Sequence, residues 1–108
     1  MVGKIPLFLP NLISIQATQQ RIQFFLEKVE SVIAPNVRRK TDSLVEEVRH
    51  EPLGVVCNIS AWNYPFFIGI NVIIPALLTG NAVIYKPSEH VALTGLNIGR
   101  LLHKAGNQ

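Results

Sequence analysis

The chain predicts an α/β fold, a parallel βαβ unit preceded by an amphipathic helix, and three features carry that prediction. Residues 53–59 are an apolar run rich in the β-branched residues Val55, Val56 and Ile59. Residues 66–78 are apolar at helix-compatible spacing, and Ala82-Val83-Ile84-Tyr85 follows as a second short apolar strand. Runs of these lengths, separated by turn residues, alternate between strand and helix.

The chain opens on residues 1–10, where a lysine precedes Ile5, Leu7, Phe8 and Leu9, with Pro6 inside the run and Pro10 at its end. This segment is too short and too proline-rich for the apolar core of a signal peptide. A helix is expected from near Ser14 to Ala34-Pro35. Ile22, Phe25, Leu26, Val29, Val32 and Ile33 recur three and four residues apart, while Arg21, Gln23, Glu27, Lys28, Glu30 and Ser31 are polar. Such an apolar face needs cover. Arg38-Arg39-Lys40 reads as a solvated loop after the helix, and residues 44–50 are only loosely consistent with a strand.

The βαβ unit follows. Its first strand lacks polar alternation before Asn58, which predicts cover on both faces. Ser60-Ala61-Trp62-Asn63-Tyr64-Pro65 breaks the pattern, and Pro65 suits the first helical turn, where its missing N–H removes a donor without an intrahelical partner. Pro75 should kink or restart the helix, and Thr79-Gly80-Asn81 should end it. Lys86-Pro87-Ser88-Glu89 places a cation, a hydroxyl and a carboxylate beyond the second strand. A further helix begins near Leu93. In open parallel sheets ligands settle outside the carboxyl ends of the strands, so both polar turns lie on the edge where a ligand would bind. The unit has no G-x-G-x-x-G fingerprint, so these residues mark a site without naming its ligand.

The same residues closely resemble the aldehyde dehydrogenase superfamily. The matching elements are Glu51-Pro52-Leu53-Gly54-Val55-Val56, the Ser60 to Pro65 turn, Pro75-Ala76-Leu77-Leu78-Thr79-Gly80-Asn81-Ala82-Val83 and Lys86-Pro87-Ser88-Glu89. Four motifs in the right order and spacing make the signal specific, and it extends back through Arg21-Ile22-Gln23-Phe24-Phe25-Leu26 and forward to Gly106. The resemblance implies a partial Rossmann-like unit, a fragment of the aldehyde dehydrogenase fold. Residues 1–50 would form a helix and an extended connector, in which Thr41 to His50 contributes to subunit contacts, and residues 51–108 a partial dinucleotide-binding βαβα unit.

By the same resemblance, Asn63 is the oxyanion residue, whose amide donates to the aldehyde oxygen as a thiol attacks, a contribution of about 3–4 kcal/mol. Lys86 and Glu89 are the pair that holds the adenosine ribose, with Ser88 between them in the same motif. Ser60, Ala61 and Trp62 line the nicotinamide side of the cleft. A carboxylate at the ribose repels a 2′-phosphate, which favours NAD over NADP. In the family, the nucleophilic cysteine, the general-base glutamate and a second glycine-containing turn lie beyond this stretch. The resemblance therefore implies an internal, truncated fragment, inactive alone, with an aldehyde substrate only in the complete enzyme.

Without the resemblance, each residue has a plainer role. Asn63 would cap the helix after Pro65, Lys86 and Glu89 would be a solvated pair, and Trp62 would be a packing residue. Cys57, the single cysteine, lies in mid-strand with no sequence-adjacent cation, which describes an inert buried thiol and not a nucleophile.

Composition bounds the remainder. One hundred and eight residues allow one domain, and 48% apolar content with mean hydropathy +0.29 is high for a small soluble one. The net charge of +3 is mild, and the one basic cluster lacks interleaved aromatics, which argues against nucleic acid. Residues 66–85 carry no charge, but Asn71, Pro75, Thr79, Gly80 and Asn81 divide them into helix and strand, which argues against a membrane span. One cysteine excludes an intrachain disulfide and suits a reducing, cytoplasmic setting. Two parallel strands make a thin core with open apolar edges, so marginal stability and self-association are expected. The readings are a piece of an NAD-dependent aldehyde oxidoreductase, a stand-alone nucleotide-binding or interaction module, or a small membrane-associated protein.

Overall fold

Three α-helices and two two-stranded sheets make up the described residues. The structure, a computed structural model, describes residues 8–106, with side chains from Leu12 onward. The start of the apolar run at Ile5, and with it the signal-peptide question, lies outside them.

Helix α1, Phe8–Ile33, begins well before Ser14. Pro10 sits in its first turn, where an N–H has no intrahelical partner to lose. The expected apolar face is covered in part, with Ile22, Phe25, Val29 and Ile33 half-buried. Ser14 and Thr18 are buried whereas Leu26 and Val32 are exposed, because a second helix lies against the small side chains Ser14, Ala17 and Thr18 rather than along the bulkier end. Thr18 Oγ1 donates to the Ser14 carbonyl at 2.7 Å. Arg21 places its guanidinium 5.6 Å from the Phe67 ring across that contact, and 5.7 and 5.8 Å from Phe24 and Phe25 on its own helix, a cation–π cluster.

Strands β1, Asn36–Lys40, and β2, Val45–Val48, form an antiparallel hairpin with Arg39 opposite Glu46. Arg38-Arg39-Lys40 is therefore a strand and not a loop. Glu46 supplies opposite charge across from Arg39, while Glu47 stands opposite Val37 and pairs with Arg49, and Thr41 N–H donates to the Leu44 carbonyl at 2.8 Å to close the turn. Every residue from 34 to 55 is exposed.

Strand β3, Val55–Ile59, helix α2, Pro65–Leu78, and strand β4, Ala82–Lys86, form the expected parallel unit. Its register runs from Val55 opposite Ala82 to Ile59 opposite Lys86. α2 does not restart at Pro75 and runs as one helix to Leu78. The predicted stop is a Schellman motif: Gly80 N–H donates to the Leu77 carbonyl at 3.0 Å and Asn81 N–H to the Ala76 carbonyl at 2.9 Å. Gly80 takes φ +84°, the left-handed conformation this cap requires. Asn81 Oδ1 then accepts from Gly54 N–H at 3.0 Å, tying the helix end to the start of β3.

The parallel pair is covered on one face only, which corrects the expectation of two. Val56 and Asn58 turn toward α2, and Val55, Cys57 and Ile59 are exposed. The reason is layering: α1 packs on α2, not on the sheet. Cys57 is accordingly exposed and not the buried thiol its apolar neighbours suggested. Strand sequence records hydrophobicity but not which face finds a partner.

A single 3₁₀ turn, Glu89–Val91, leads into α3, Ala92–Gly106. Ile70 and Ile73 of α2 and Ile98 of α3 form the buried core, flanked by Ile22, Phe66, Ile74, Val83, Tyr85 and Leu102. The radius of gyration is 18.5 Å, against about 13 Å for a compact domain of this length. The exposed hairpin and the long α1 account for the extension.

Candidate functional site

The parallel register places the two polar turns side by side. Because Ile59 pairs with Lys86, Ser60 and Pro87 leave the same edge of the sheet, and Ser60 N–H donates to the Lys86 carbonyl at 3.1 Å. The first turn then rises to α2 and the second to α3. This is the carboxyl edge of a parallel pair, with a helix starting after each strand.

In the first turn Ser60 is buried, while Ala61, Trp62 and Asn63 are exposed. Tyr64 is the N-cap of α2 and makes no side-chain cap, so the helix-capping role considered for Asn63 does not hold. Trp62 is 60% exposed and is not a packing residue within the chain.

In the second turn Lys86 Nζ stands 3.7 Å from Glu89 Oε2, with both side chains largely exposed. Its ammonium also reaches the Pro87 carbonyl at 3.3 Å. The Glu89 carboxyl is held below its usual range, first by its own backbone N–H and then by the charges of Lys86 and His90. It is therefore ionised at neutral pH. Ser88 is buried, and its hydroxyl accepts from His90 N–H at 3.3 Å, capping the 3₁₀ turn. The pair formed by Lys86 and Glu89 offers donors and an acceptor together, the complement of vicinal hydroxyls.

Behind the first turn, Ser60 of the matched motif meets Asn58 and Tyr85, which the motifs did not single out as a site. Asn58, 4% exposed, donates through Nδ2 to the Gly69 carbonyl of α2 at 3.0 Å. Its Oδ1 accepts from Ser60 Oγ at 3.0 Å. The Tyr85 hydroxyl faces Gly69 so closely that a Cβ there would stand 2.9 Å from it. Burial raises the Tyr85 hydroxyl above its usual range, an effect partly offset by the Ser60 side chain. The signal in the sequence was Asn58 and Ser60, two polar residues two apart at the end of an apolar strand.

Cys57 lies within β3, away from both turns in register, and exposure alone does not make a nucleophile. Among the described residues no group of three or more His, Cys, Asp and Glu side chains could hold a metal ion. No helix of the described residues is long and apolar enough to cross a membrane.

The sequence model of the aldehyde dehydrogenase family matches residues 10–107. The chain belongs to the aldehyde dehydrogenase family. That match runs through the βαβ unit and both turns, and it also includes almost all of α1 and the hairpin. The α/β architecture, a parallel pair with helices, agrees with part of an aldehyde dehydrogenase of Rossmann-like design. No solved structure matches the chain.

Proposed function

We infer that this chain supplies the oxyanion donor and the ribose-binding part of an NAD-dependent aldehyde dehydrogenase. The observation that carries the reading is the pairing of Ile59 with Lys86, which sets the Asn63 turn and the Lys86 turn on one edge of the parallel sheet in a chain of this family. Asn63 is exposed there and does not cap α2, so its amide is open to donate toward a carbonyl oxygen as negative charge develops. Lys86 donates to the ribose hydroxyls and Glu89 accepts from them. The carboxylate of Glu89, kept ionised by its neighbours, opposes a 2′-phosphate and so selects NAD over NADP.

The dinucleotide fits these residues. An exposed ammonium and an exposed carboxylate stand within one ribose of each other, and neither is buried in a stronger partnership. When bound, NAD supplies the hydride acceptor for aldehyde oxidation. The chain's own part is to hold the ribose, to offer Trp62 and the backbone of Ala61 as a wall of the cleft, and to aim Asn63 at the aldehyde oxygen. The only thiol of this stretch, Cys57, stands in mid-strand and is assigned no step.

Titration of the pure chain with NAD, followed by calorimetry or by Trp62 fluorescence, tests the cofactor assignment. Saturable binding is expected, with loss of more than tenfold in affinity for a Lys86→Ala, Glu89→Ala double variant, since two charge-assisted contacts disappear at about 1.5–3 kcal/mol each. Equal binding by parent and double variant would refute the ribose assignment. In the same samples no steady aldehyde-dependent NADH production is expected. Turnover abolished by Asn63→Ala would show instead that this stretch is catalytically sufficient.

A further inference from the structure

We propose that Ser60, backed by Asn58 and Tyr85, is a positioning residue that holds the turn carrying Asn63 against the end of β4 carrying Lys86. The inference rests on the functional reading above and extends it: Ser60, placed by the resemblance on the nicotinamide side of the cleft, is only 6% exposed and acts from behind the turn.

Ser60 joins three parts of the molecule. Its N–H donates to the Lys86 carbonyl at 3.1 Å, which binds the first residue of the Asn63 turn to the backbone of the ribose lysine. Its Oγ donates at 3.0 Å to Asn58 Oδ1, and Asn58 Nδ2 continues at 3.0 Å to the Gly69 carbonyl of α2. The chain of bonds therefore runs from β4 through the turn and β3 into the helix that the turn enters. Tyr85, next to Lys86, closes the set from the other strand by seating its hydroxyl against Gly69, where only a glycine leaves room.

Packing alone does not account for these residues. Ser60 and Asn58 are 6% and 4% exposed, at positions where an apolar side chain would contribute more to a thin core. Buried polar groups that satisfy one another specify geometry, because any other arrangement leaves one of them unpaired at a cost. The geometry specified here is the path of the turn from Ser60 to Tyr64. Trp62, Asn63 and Tyr64 are exposed, and the Tyr64 N-cap uses no side chain to anchor the helix start. Ser60 is thus the buried anchor at the base of an otherwise exposed turn.

The test is amide and side-chain NMR of the parent chain and of the Ser60→Ala and Tyr85→Phe variants, with and without NAD. In Ser60→Ala the resonances of Ile73 and Ile98 should stay in place, while the Trp62 indole and Asn63 side-chain amide signals broaden or split. Affinity for NAD should fall about fivefold, the loss of one hydrogen bond's worth of ordering. Tyr85→Phe keeps the ring and should reproduce part of the effect at the same two signals. Unmoved Trp62 and Asn63 signals would overturn the proposal. So would changes spread evenly over the core, which mark a merely structural role, or a parent spectrum without dispersion. If the parent fails to bind NAD while Ser60→Ala still perturbs Asn63, the positioning stands and the cofactor assignment falls.

Discussion

Ile73→Ala is expected to abolish cooperative unfolding of this chain. Ile73 is 1% exposed and sits between α2, α3 and the sheet, with Ile70 and Ile98 as its buried companions. Truncating such a side chain costs about 2–5 kcal/mol, the transfer term plus the cavity left behind. The total available here is small. Few residues are fully buried, one face of the β3–β4 pair is bare and the hairpin is exposed throughout. Whole domains hold only about 5–15 kcal/mol, and a thin one sits at or below the lower end. Thermal unfolding followed by circular dichroism should show a sigmoidal transition for the parent and a shallow drift for Ile73→Ala. An unchanged midpoint would place the stabilising core elsewhere.

The second large effect is a reversal of sign between two glycines of α3. Replacing glycine by alanine inside a helix ordinarily stabilises by about 1 kcal/mol. At Gly99 an added Cβ meets nothing within 4 Å, so that gain should appear as a rise in midpoint. At Gly95 the added Cβ would stand 2.3 Å from Pro87 Cγ and 2.5 Å from Pro87 Cβ. A proline ring has no rotamer to retreat into, so α3 or the Lys86–Glu89 turn must move. The expected net loss for Gly95→Ala is about 1–3 kcal/mol. Because Pro87 joins Lys86 to Ser88 and Glu89, NAD affinity should fall with it, whereas Gly99→Ala should bind as the parent does. If Gly95→Ala stabilised the chain to the same degree as Gly99→Ala, α3 would not seat on Pro87.

The close approach at Gly95 bears on the site. The ribose residues follow β4 in a short exposed turn, and the seat of α3 on Pro87 fixes where that turn ends. Pro87 therefore acts as a spacer between a strand and a helix, and the separation of Lys86 from Glu89 depends on it. No charge or motif at Gly95 signals this dependence, which comes from the absence of a side chain.

Exposure of the β3–β4 face has a related origin. Along β3 the apolar residues Val55, Val56, Cys57 and Ile59 read as a strand with cover on both sides. Only Val56 and Asn58 meet α2, and the polar Asn58 is the more deeply buried of the two. Side-chain alternation assigns residues to two faces, but which face is covered depends on where the helices pack. Here α1 lies on α2, which leaves Cys57 and its neighbours in the open.

Much of this protein was determined by the sequence alone. The β-branched runs, the proline at the start of α2 and the Thr79-Gly80-Asn81 stop specified the βαβ unit, because each expresses a local backbone preference that survives in any context. The order and spacing of the four motifs specified the family. Tertiary structure decided the rest: the burial of Ser14 and Thr18 in place of Leu26 and Val32, the strand at Arg38-Arg39-Lys40, the bare sheet face and the network of Asn58, Ser60 and Tyr85. Each depends on what a residue meets outside its own run of residues, and periodicity within one segment carries no record of that partner.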